Sequence, residues 1–245
     1  MPAAASKELR SDDRHAATHA AGQGDALPAE AGESGARLAI LEAGLSLFAD
    51  RGYHATSIRD LAAAACCGSA SLYSHFRAKE EILSALVQLG HDVHHRALID
   101  ALATSAPEPR EQLRRVVFAH VEIHCRYPAL ALVATHERKH LSTTAYAPSL
   151  ALRRQSEQLL TDVVMRGIDQ GLFVVDALEA TLVAIGSMGI AVATWYPDRS
   201  DHLTSYDVAT TYAALALRML GADPERDSAP LEGLAQTIPL PKVPR

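Results

Sequence analysis

The stretch that decides the fold of this 245-residue chain spans residues 56–79 and reads TSIRDLAAAACCGSASLYSHFRAK. Ser57 precedes an apolar run and is followed three residues later by Asp60, a spacing typical of a capping box at the start of a helix. A second short helix is predicted from Ser69 to Phe76, with its polar residues on the outer side. Two short helices separated by a tight turn predict a helix-turn-helix, whose second helix enters the major groove of DNA.

The segments on either side of this stretch extend the helical pattern. Leu38, Leu41, Leu45 and Phe48 recur at the spacing of one helix face, and a long helix is predicted to begin at Lys79. Five more helices are predicted over residues 110–126, 128–141, 148–170, 176–196 and 204–221, with Asp176 as the cap of the fourth of these. The sequence therefore predicts an all-α protein of about nine helices, with a three-helix helix-turn-helix domain at residues 36–80 and a helical ligand-binding and dimerisation domain at residues 81–221.

Composition and charge place limits on the remaining regions and on the class of protein. Residues 1–35 lack an apolar period and are predicted to be a disordered arm, and the five prolines of residues 222–245 predict a flexible tail. The net charge of −6 argues against indiscriminate binding to nucleic acid, although a small DNA-reading surface remains compatible with it. Three cysteines form no disulfide framework, and neither a signal peptide nor an apolar run of membrane-spanning length is evident. We expect a cytoplasmic protein with no membrane partner.

The stretch from Leu41 to Leu83 resembles the N-terminal domain of TetR-family regulators. The resemblance is carried by ordered pairs at fixed spacing, namely Leu47-Phe48, Gly52-Tyr53, Thr56-Ser57, Leu61-Ala62, Leu72-Tyr73, His75-Phe76 and Lys79-Glu80. It implies a regulator, typically a repressor, that binds a palindromic double-stranded DNA operator as a homodimer and is released by a small apolar effector.

The resemblance also implies which residues contact DNA. Arg59 matches a position that reaches a guanine edge, and the remaining positions match base-facing or phosphate-contacting ones: Ser57, Ser69, Ala70, Ser71, Tyr73, His75 and Lys79. Each has a plainer alternative, with Arg59 simply solvated, Tyr73 at the edge of the core and Lys79 an ordinary first residue of a helix. The chain departs from the family in its turn, where Cys66-Cys67 replaces the usual glycine, and we expect Gly68 to supply the flexible backbone there.

The C-terminal half yields predictions for dimerisation and for the effector. Small residues on the last two helices predict a close dimer contact through Gly186, Gly189, Ala209, Ala213 and Ala216, with packing inside one subunit as the alternative. The segment from Met188 to Pro197 resembles the C-terminal domain of regulators of fatty-acid and sterol catabolism, which implies a lipid-like or acyl-CoA effector. The ligand-binding residues predicted on this basis are His124, Glu137, Arg138, Met188 and Trp195, although Trp195 is equally well explained as a packing anchor at a helix end.

Histidine pairs at helical spacing offer a different function. His120 and His124 are four residues apart, as are His136 and His140, and such pairs can chelate a metal ion. A metal-responsive regulator is therefore the alternative, and a helical metal-dependent enzyme a more remote one. Because no nucleophile elbow, phosphate loop or catalytic carboxylate pattern is present, the sequence predicts no catalytic residue, no cofactor and no dedicated metal ligands.

Overall fold

A computed structural model describes residues 27–28 and 35–222, and this part of the chain contains nine α-helices and no β-strand. The predicted all-α class is therefore confirmed. The helices are α1 Gly35–Arg51, α2 Ile58–Ala64, α3 Ser69–His75, α4 Lys79–Ala103, α5 Pro109–Arg126, α6 Pro128–His136, α7 Thr143–Asp169, α8 Leu178–Trp195 and α9 Ser205–Met219, with 3₁₀ turns at Glu137–His140 and Pro197–Arg199.

The helix-turn-helix forms as its local signals predict. The Ser57 hydroxyl accepts a hydrogen bond from the Asp60 backbone N–H, and the Asp60 carboxylate accepts one from the Ser57 N–H at 2.8 Å. Leu61 and Leu72 are completely buried and Phe76 is 2% exposed, so the apolar sides of α2 and α3 pack on each other and on α1. This packing leaves the opposite side of α3 exposed.

Helix α5 is the centre of the C-terminal domain. It packs against α4, α7, α8 and α9, and its Val117, Phe118 and Val121 are essentially fully buried. One apolar cluster joins α1–α3 to α4, α5 and α6, while a second joins α5 to α7, α8 and α9. Because α4 runs unbroken from Lys79 to Ala103, it connects the helix-turn-helix to this domain through one rigid element.

Two helix boundaries differ from the predicted ones. Helix α7 begins at Thr143 rather than Pro148, because the Ser142 hydroxyl accepts a hydrogen bond from the Ala145 N–H and caps the helix earlier. Pro148 then lies in the second turn of α7, where a proline removes one intrahelical hydrogen bond. The predicted Asp176 cap does not form, since α8 begins after Ala177 without a side-chain cap.

The predicted arm and tail lie almost entirely outside the described residues. Within the arm, Leu27 is described and is buried against the first apolar cluster, so at least this residue is packed. Of the tail only Ala222 is described, and it is buried in the second cluster.

Helix α8 is strongly apolar, although most of its residues are not buried. Its 18 residues have a mean hydropathy of 1.5, but only 22% of them are buried. By length and composition it is the one described helix able to cross a membrane, or one of two candidates if the sharply bent α5–α6 pair is counted as a span. One or two such helices are weak evidence for a membrane protein, because the core helix of a soluble protein passes the same test of length and composition.

Candidate DNA-binding surface and effector cavity

The exposed sides of α2 and α3 carry nearly all the residues predicted to contact DNA. Ser57, Arg59, Ser69, Ala70, Ser71, Tyr73 and His75 are all exposed. Tyr73 is 52% exposed, which excludes the alternative of a tyrosine at the edge of the core. The Ser57 hydroxyl is already engaged with Asp60 at 2.6 Å, so this residue mainly positions the start of α2.

The turn between α2 and α3 depends on Cys66 rather than on Gly68. Cys66 is the one non-glycine among the described residues with a positive φ, at 50°, whereas Gly68 is extended with φ −79° and ψ 153°. The expectation that Gly68 supplies the unusual backbone is therefore wrong. A residue with a side chain occupies the left-handed conformation, which costs roughly 1–2 kcal/mol relative to its preferred conformations.

Lys79 is held inside the N-terminal domain. Its ammonium donates hydrogen bonds to the backbone carbonyls of Tyr53 at 2.6 Å and Thr56 at 2.7 Å, and it lies 4.1 Å from the centre of the Tyr53 ring. Burial lowers the pKa of this amine. Two of its three N–H donors are thus committed to the loop before α2, and the predicted phosphate contact has one donor left.

Arg37 is a structural residue of this surface that the sequence analysis missed. Its guanidinium donates a hydrogen bond to the His75 carbonyl at 3.1 Å and lies 4.1 Å from the centre of the Phe76 ring. It therefore fixes the C-terminal end of α3 on α1. No sequence signal links Arg37 to His75, because the two residues are 38 positions apart.

A cavity of about 480 Å³ lies in the C-terminal domain, between helices α4, α5, α6, α7 and α8. Its walls are mainly apolar, with Leu98, Val116, Leu130 and Ile185 among them. The polar side chains that reach it include four histidines, two arginines and two glutamates, at His91, His94, His120, His124, Arg138, Arg153, Glu157 and Glu179. A mainly apolar cavity of this size with a few polar groups is typical of a small-molecule site.

The structure places two of the five predicted ligand-binding residues at this cavity. His124 and Arg138 line it, whereas Glu137, Met188 and Trp195 do not. Met188 and Trp195 are partly buried and pack against the second apolar cluster, which favours the alternative of a packing anchor at the helix end for Trp195. The sequence did not predict which residues of α8 line the cavity. This helix is apolar on all sides, so the spacing of its residues does not show which side faces the cavity.

Glu137 instead joins the two domains. Its carboxylate accepts a hydrogen bond from the Tyr53 backbone N–H at 2.8 Å and lies 3.5 Å from the His140 ring nitrogen. The His140 ring stacks on Tyr53 with centroids 5.5 Å apart. We call Tyr53, Glu137 and His140 the interdomain junction. A second link lies nearby, where the Glu80 carboxylate accepts a hydrogen bond from the Ser142 N–H at 2.7 Å.

Four of the five small residues predicted to form the dimer contact are buried inside the subunit. Ala209, Ala213 and Ala216 are completely buried in the second apolar cluster, and Gly189 is buried against the His120 ring. Gly186 lines the cavity. Gly189, Ala209, Ala213 and Ala216 therefore pack within one subunit, as the alternative has it, whereas the predicted dimer contact at Gly186 stays a prediction. The exposed residues of α8 and α9 are different ones, including Ala180, Val183, Ala184, Ala191, Leu215 and Met219.

The two predicted histidine pairs do not come together with each other in the structure. His120 and His124 meet His94 of α4, which the sequence analysis did not consider, while His136 is exposed and His140 contacts His54. Cys125 belongs to the second apolar cluster, where burial raises the pKa of its thiol to about 12. His94 was missed because it is 26 residues from its nearest partner in the group.

A helix-turn-helix with an exposed polar second helix, joined by one continuous helix to a larger helical domain, defines a DNA-binding regulator. The comparisons with known proteins agree with this class. Residues 40–86 match the family described as bacterial regulatory proteins, tetR family, and residues 106–220 match the tetracyclin repressor-like C-terminal domain. The HTH-type transcriptional repressor KstR2 of Mycobacterium tuberculosis strain H37Rv is 30% identical over 184 residues, which cover 73% of this chain and 89% of that protein.

Two solved structures have the same fold. That of the ketosteroid transcriptional regulator KstR2 of Mycobacterium tuberculosis gives a TM-score of 0.69 at 28% identity, covering 76% of this chain and 95% of that one. The TetR family transcriptional regulator PfmR from Thermus thermophilus gives a TM-score of 0.67 at 34% identity, covering 74% and 98%. The chain belongs to the TetR family of bacterial transcription regulators.

Proposed function

We propose that this protein is a cytoplasmic repressor that binds a palindromic operator as a homodimer and leaves it when an apolar effector fills the cavity. One observation carries the proposal. Helix α6 contributes Leu130 and Ala134 to the cavity wall, and the 3₁₀ turn that continues it holds Tyr53 of the DNA-binding domain through Glu137. A displacement of α6 by a ligand therefore acts directly on the helix-turn-helix.

Binding to a specific DNA sequence rests on the exposed residues of α2 and α3. Helix α3, the recognition helix, bears hydroxyls, Ala70 and His75 but no lysine or arginine, so Arg59 of α2 is the cation best placed to read a guanine. We expect that Arg59→Ala weakens binding to an operator selected from random DNA by about 1–3 kcal/mol and relaxes preference at one base pair.

The control for this experiment is Arg154→Ala, an exposed arginine of α7 outside the DNA-binding domain. It should leave operator affinity and sequence preference unchanged. Equal losses in the two variants would mean that only overall charge matters, and the assigned recognition surface would then be wrong.

The cavity favours an effector with an apolar body and an anionic group. Arg138 and Arg153 are the two guanidinium groups among its lining residues. The Arg153 side chain is 42% exposed and donates a hydrogen bond to Glu157 at 2.8 Å. An acyl-CoA with a sterol-derived or long acyl chain meets this description, with the apolar body inside and phosphates near the arginines. A sterol-derived effector is supported by the KstR2 structure, which is 28% identical to this chain and is that of a ketosteroid transcriptional regulator.

The effector is tested by adding a panel of acyl-CoAs to the protein–operator complex and measuring DNA release. A hundredfold loss of operator affinity requires that the effector bind the DNA-free form about 2.7 kcal/mol more tightly. Arg153→Gln should weaken the active acyl-CoA but not the corresponding free sterol or hydrocarbon. A panel in which no compound stabilises the protein or releases DNA would refute this effector class.

Dimerisation is proposed through the exposed apolar sides of α8 and α9. Val183 is 62% exposed, and Leu215 and Met219 of α9 are 40% and 38% exposed. Covering these residues with a second copy would explain why an apolar helix such as α8 is so little buried. In sedimentation experiments, Ala191→Glu and Leu215→Glu should favour the monomer. Ile99→Glu, at an exposed site on α4, should remain dimeric.

A further inference from the structure

Three histidines meet in the effector cavity. His94 of α4 and His120 and His124 of α5 each place one ring nitrogen within 4.8 Å of those of the other two. His120 and His124 are one helical turn apart and so project from the same side of α5. The site contains neutral donors only, because no carboxylate or thiolate belongs to this group among the described residues.

Backbone carbonyls orient two of the three rings. His120 Nε2 lies 3.0 Å from the Gly186 carbonyl, and His124 Nδ1 lies 2.6 Å from the His120 carbonyl. Since a carbonyl only accepts, both of these ring nitrogens carry the proton, which leaves a lone pair on His120 Nδ1 and on His124 Nε2. Such carbonyl contacts are the usual outer partners of metal-binding histidines.

His94 completes the set. Its Nε2 lies 2.7 Å from His120 Nδ1, and because Nδ1 carries a lone pair, His94 Nε2 donates the hydrogen bond between them. A shift of its proton to Nδ1 turns Nε2 into a third lone pair without any change in charge. Two nitrogens bound tetrahedrally at 2.0–2.1 Å are about 3.3 Å apart, so the rings of His94 and His120 need to separate by only about 0.6 Å.

Burial keeps all three imidazoles in the form that binds metal. It is the largest cause lowering the pKa of His94, His120 and His124, the last to about 3. The rings are therefore neutral at physiological pH and do not have to lose a net proton to become ligands.

We infer that His94, His120 and His124 form a binding site for a divalent transition-metal ion, with Zn²⁺ as the ion that three imidazoles and a tetrahedral geometry suit best. Three protein ligands leave the fourth position open, and all three residues line the cavity, so this position faces the space proposed for the effector. This step rests on the proposed function: an oxygen atom of the effector, such as its thioester carbonyl, would complete the coordination.

The test uses the full-length chain without a histidine tag, stripped of metal, and titrates it with Zn²⁺ in competition with a coloured chelator. One tight site per chain is expected, and X-ray absorption should find three imidazole nitrogens at about 2.0–2.1 Å. His94→Gln and His120→Gln should each weaken binding at least tenfold. The matched control is His95→Gln, whose ring contacts Ser156 Oγ at 3.0 Å outside the group, and it should bind as the wild type does.

A Co²⁺-loaded protein tests the open position, because azide should shift its visible absorption if a ligand can enter. The inference is overturned if no tight site exists, if His94→Gln binds zinc unchanged, or if fewer than three imidazoles surround the ion. If His120→Gln fails to fold, the X-ray absorption data on the wild type and the zinc titration of His94→Gln still test the inference. Operator binding and its release by acyl-CoA, measured on metal-free protein, separately test the proposed function.

Discussion

At the scale of single residues, the turn of the helix-turn-helix contains a residue in an energetically unfavourable backbone conformation. Cys66 occupies the left-handed region with φ 50°, and its side chain is exposed, so no packing compensates for the unfavourable backbone. Glycine adopts this conformation freely but loses more entropy on folding, which offsets part of the gain. The residue that the family usually has in this turn is thus the one that the backbone geometry favours.

Cys66→Gly should therefore raise the free energy of unfolding by up to about 1 kcal/mol in urea denaturation. Cys67→Gly is the matched control, since Cys67 does not have a positive φ and packs partly against the first apolar cluster. That substitution should lower stability. If both variants were destabilised equally, the strain assigned to Cys66 would be absent.

A second residue-scale prediction concerns the partly buried His91. Burial, followed by the nearby Arg153 and Arg138, lowers its pKa to about 4, while Asp92 and Glu157 act in the opposite direction. In the unfolded chain its pKa is about 6.5, so between these values the unfolded state binds more protons than the folded one. Stability must then fall as the pH decreases from about 6.5 towards 4.

The size of this effect follows from the difference between the two pKa values. At pH 5 the protonation of His91 in the unfolded state costs the folded protein about 2 kcal/mol relative to neutral pH. His91→Gln should remove the contribution of His91, so the unfolding free energy should decrease less steeply between pH 7 and pH 5. His202→Gln, at an exposed position, should reproduce the steeper wild-type decrease. Identical slopes in all three proteins would contradict the prediction.

At the scale of helices, local signals predicted the DNA-binding domain well and the C-terminal domain less well. The Ser57–Asp60 box and the buried Leu72 and Phe76 specify α2 and α3 through contacts close in sequence. The alanines of α9 were misassigned, because a stripe of small residues suits a core and a dimer contact equally. His94 and Arg37 act through partners 26 and 38 residues away, which no spacing within one helix can indicate.

Substitutions at Gly186 and Gly189 test which side of α8 packs in the core of the subunit. A Cβ atom at Gly189 would overlap the His120 ring, whereas one at Gly186 would meet nothing within 4 Å. Gly189→Ala should therefore destabilise the protein by about 1–3 kcal/mol and displace His120. Gly186→Ala should raise stability by up to about 1 kcal/mol, because alanine favours a helix. Equal effects in urea denaturation would mean that α8 does not pack on α5 as described.

At the scale of the whole molecule, apolar packing and a few hydrogen bonds connect the cavity-lining helix α6 and its neighbours to the DNA-binding domain. The first apolar cluster includes Phe48 and Phe76 of the N-terminal domain together with Leu130 and Val133 of α6. Apolar packing of this kind holds the domains together but does not fix a single orientation. The directional contacts are the hydrogen bond from Tyr53 to Glu137 and the one from Ser142 to Glu80. In the proposed mechanism, these are the contacts through which a shift of α6 would act on the helix-turn-helix.

Glu137→Ala tests whether the interdomain junction transmits the effector signal. The substitution leaves the Tyr53 N–H without its acceptor and removes the carboxylate beside His140, but it does not alter the cavity wall. Effector affinity in the absence of DNA should thus change by no more than about twofold, while the coupling free energy between effector and operator falls by about 1 kcal/mol, or about fivefold in DNA release. Glu81→Ala is the matched control, because the Glu81 carboxylate also accepts a backbone hydrogen bond, from Arg77 at 2.7 Å, but both residues lie within residues 40–86, which match the N-terminal family domain. Since coupling is reciprocal, the same loss must appear when effector affinity is compared with and without operator. A Glu137→Ala protein that releases DNA as fully as Glu81→Ala does would place the transmission in the apolar contacts between α1 and α6.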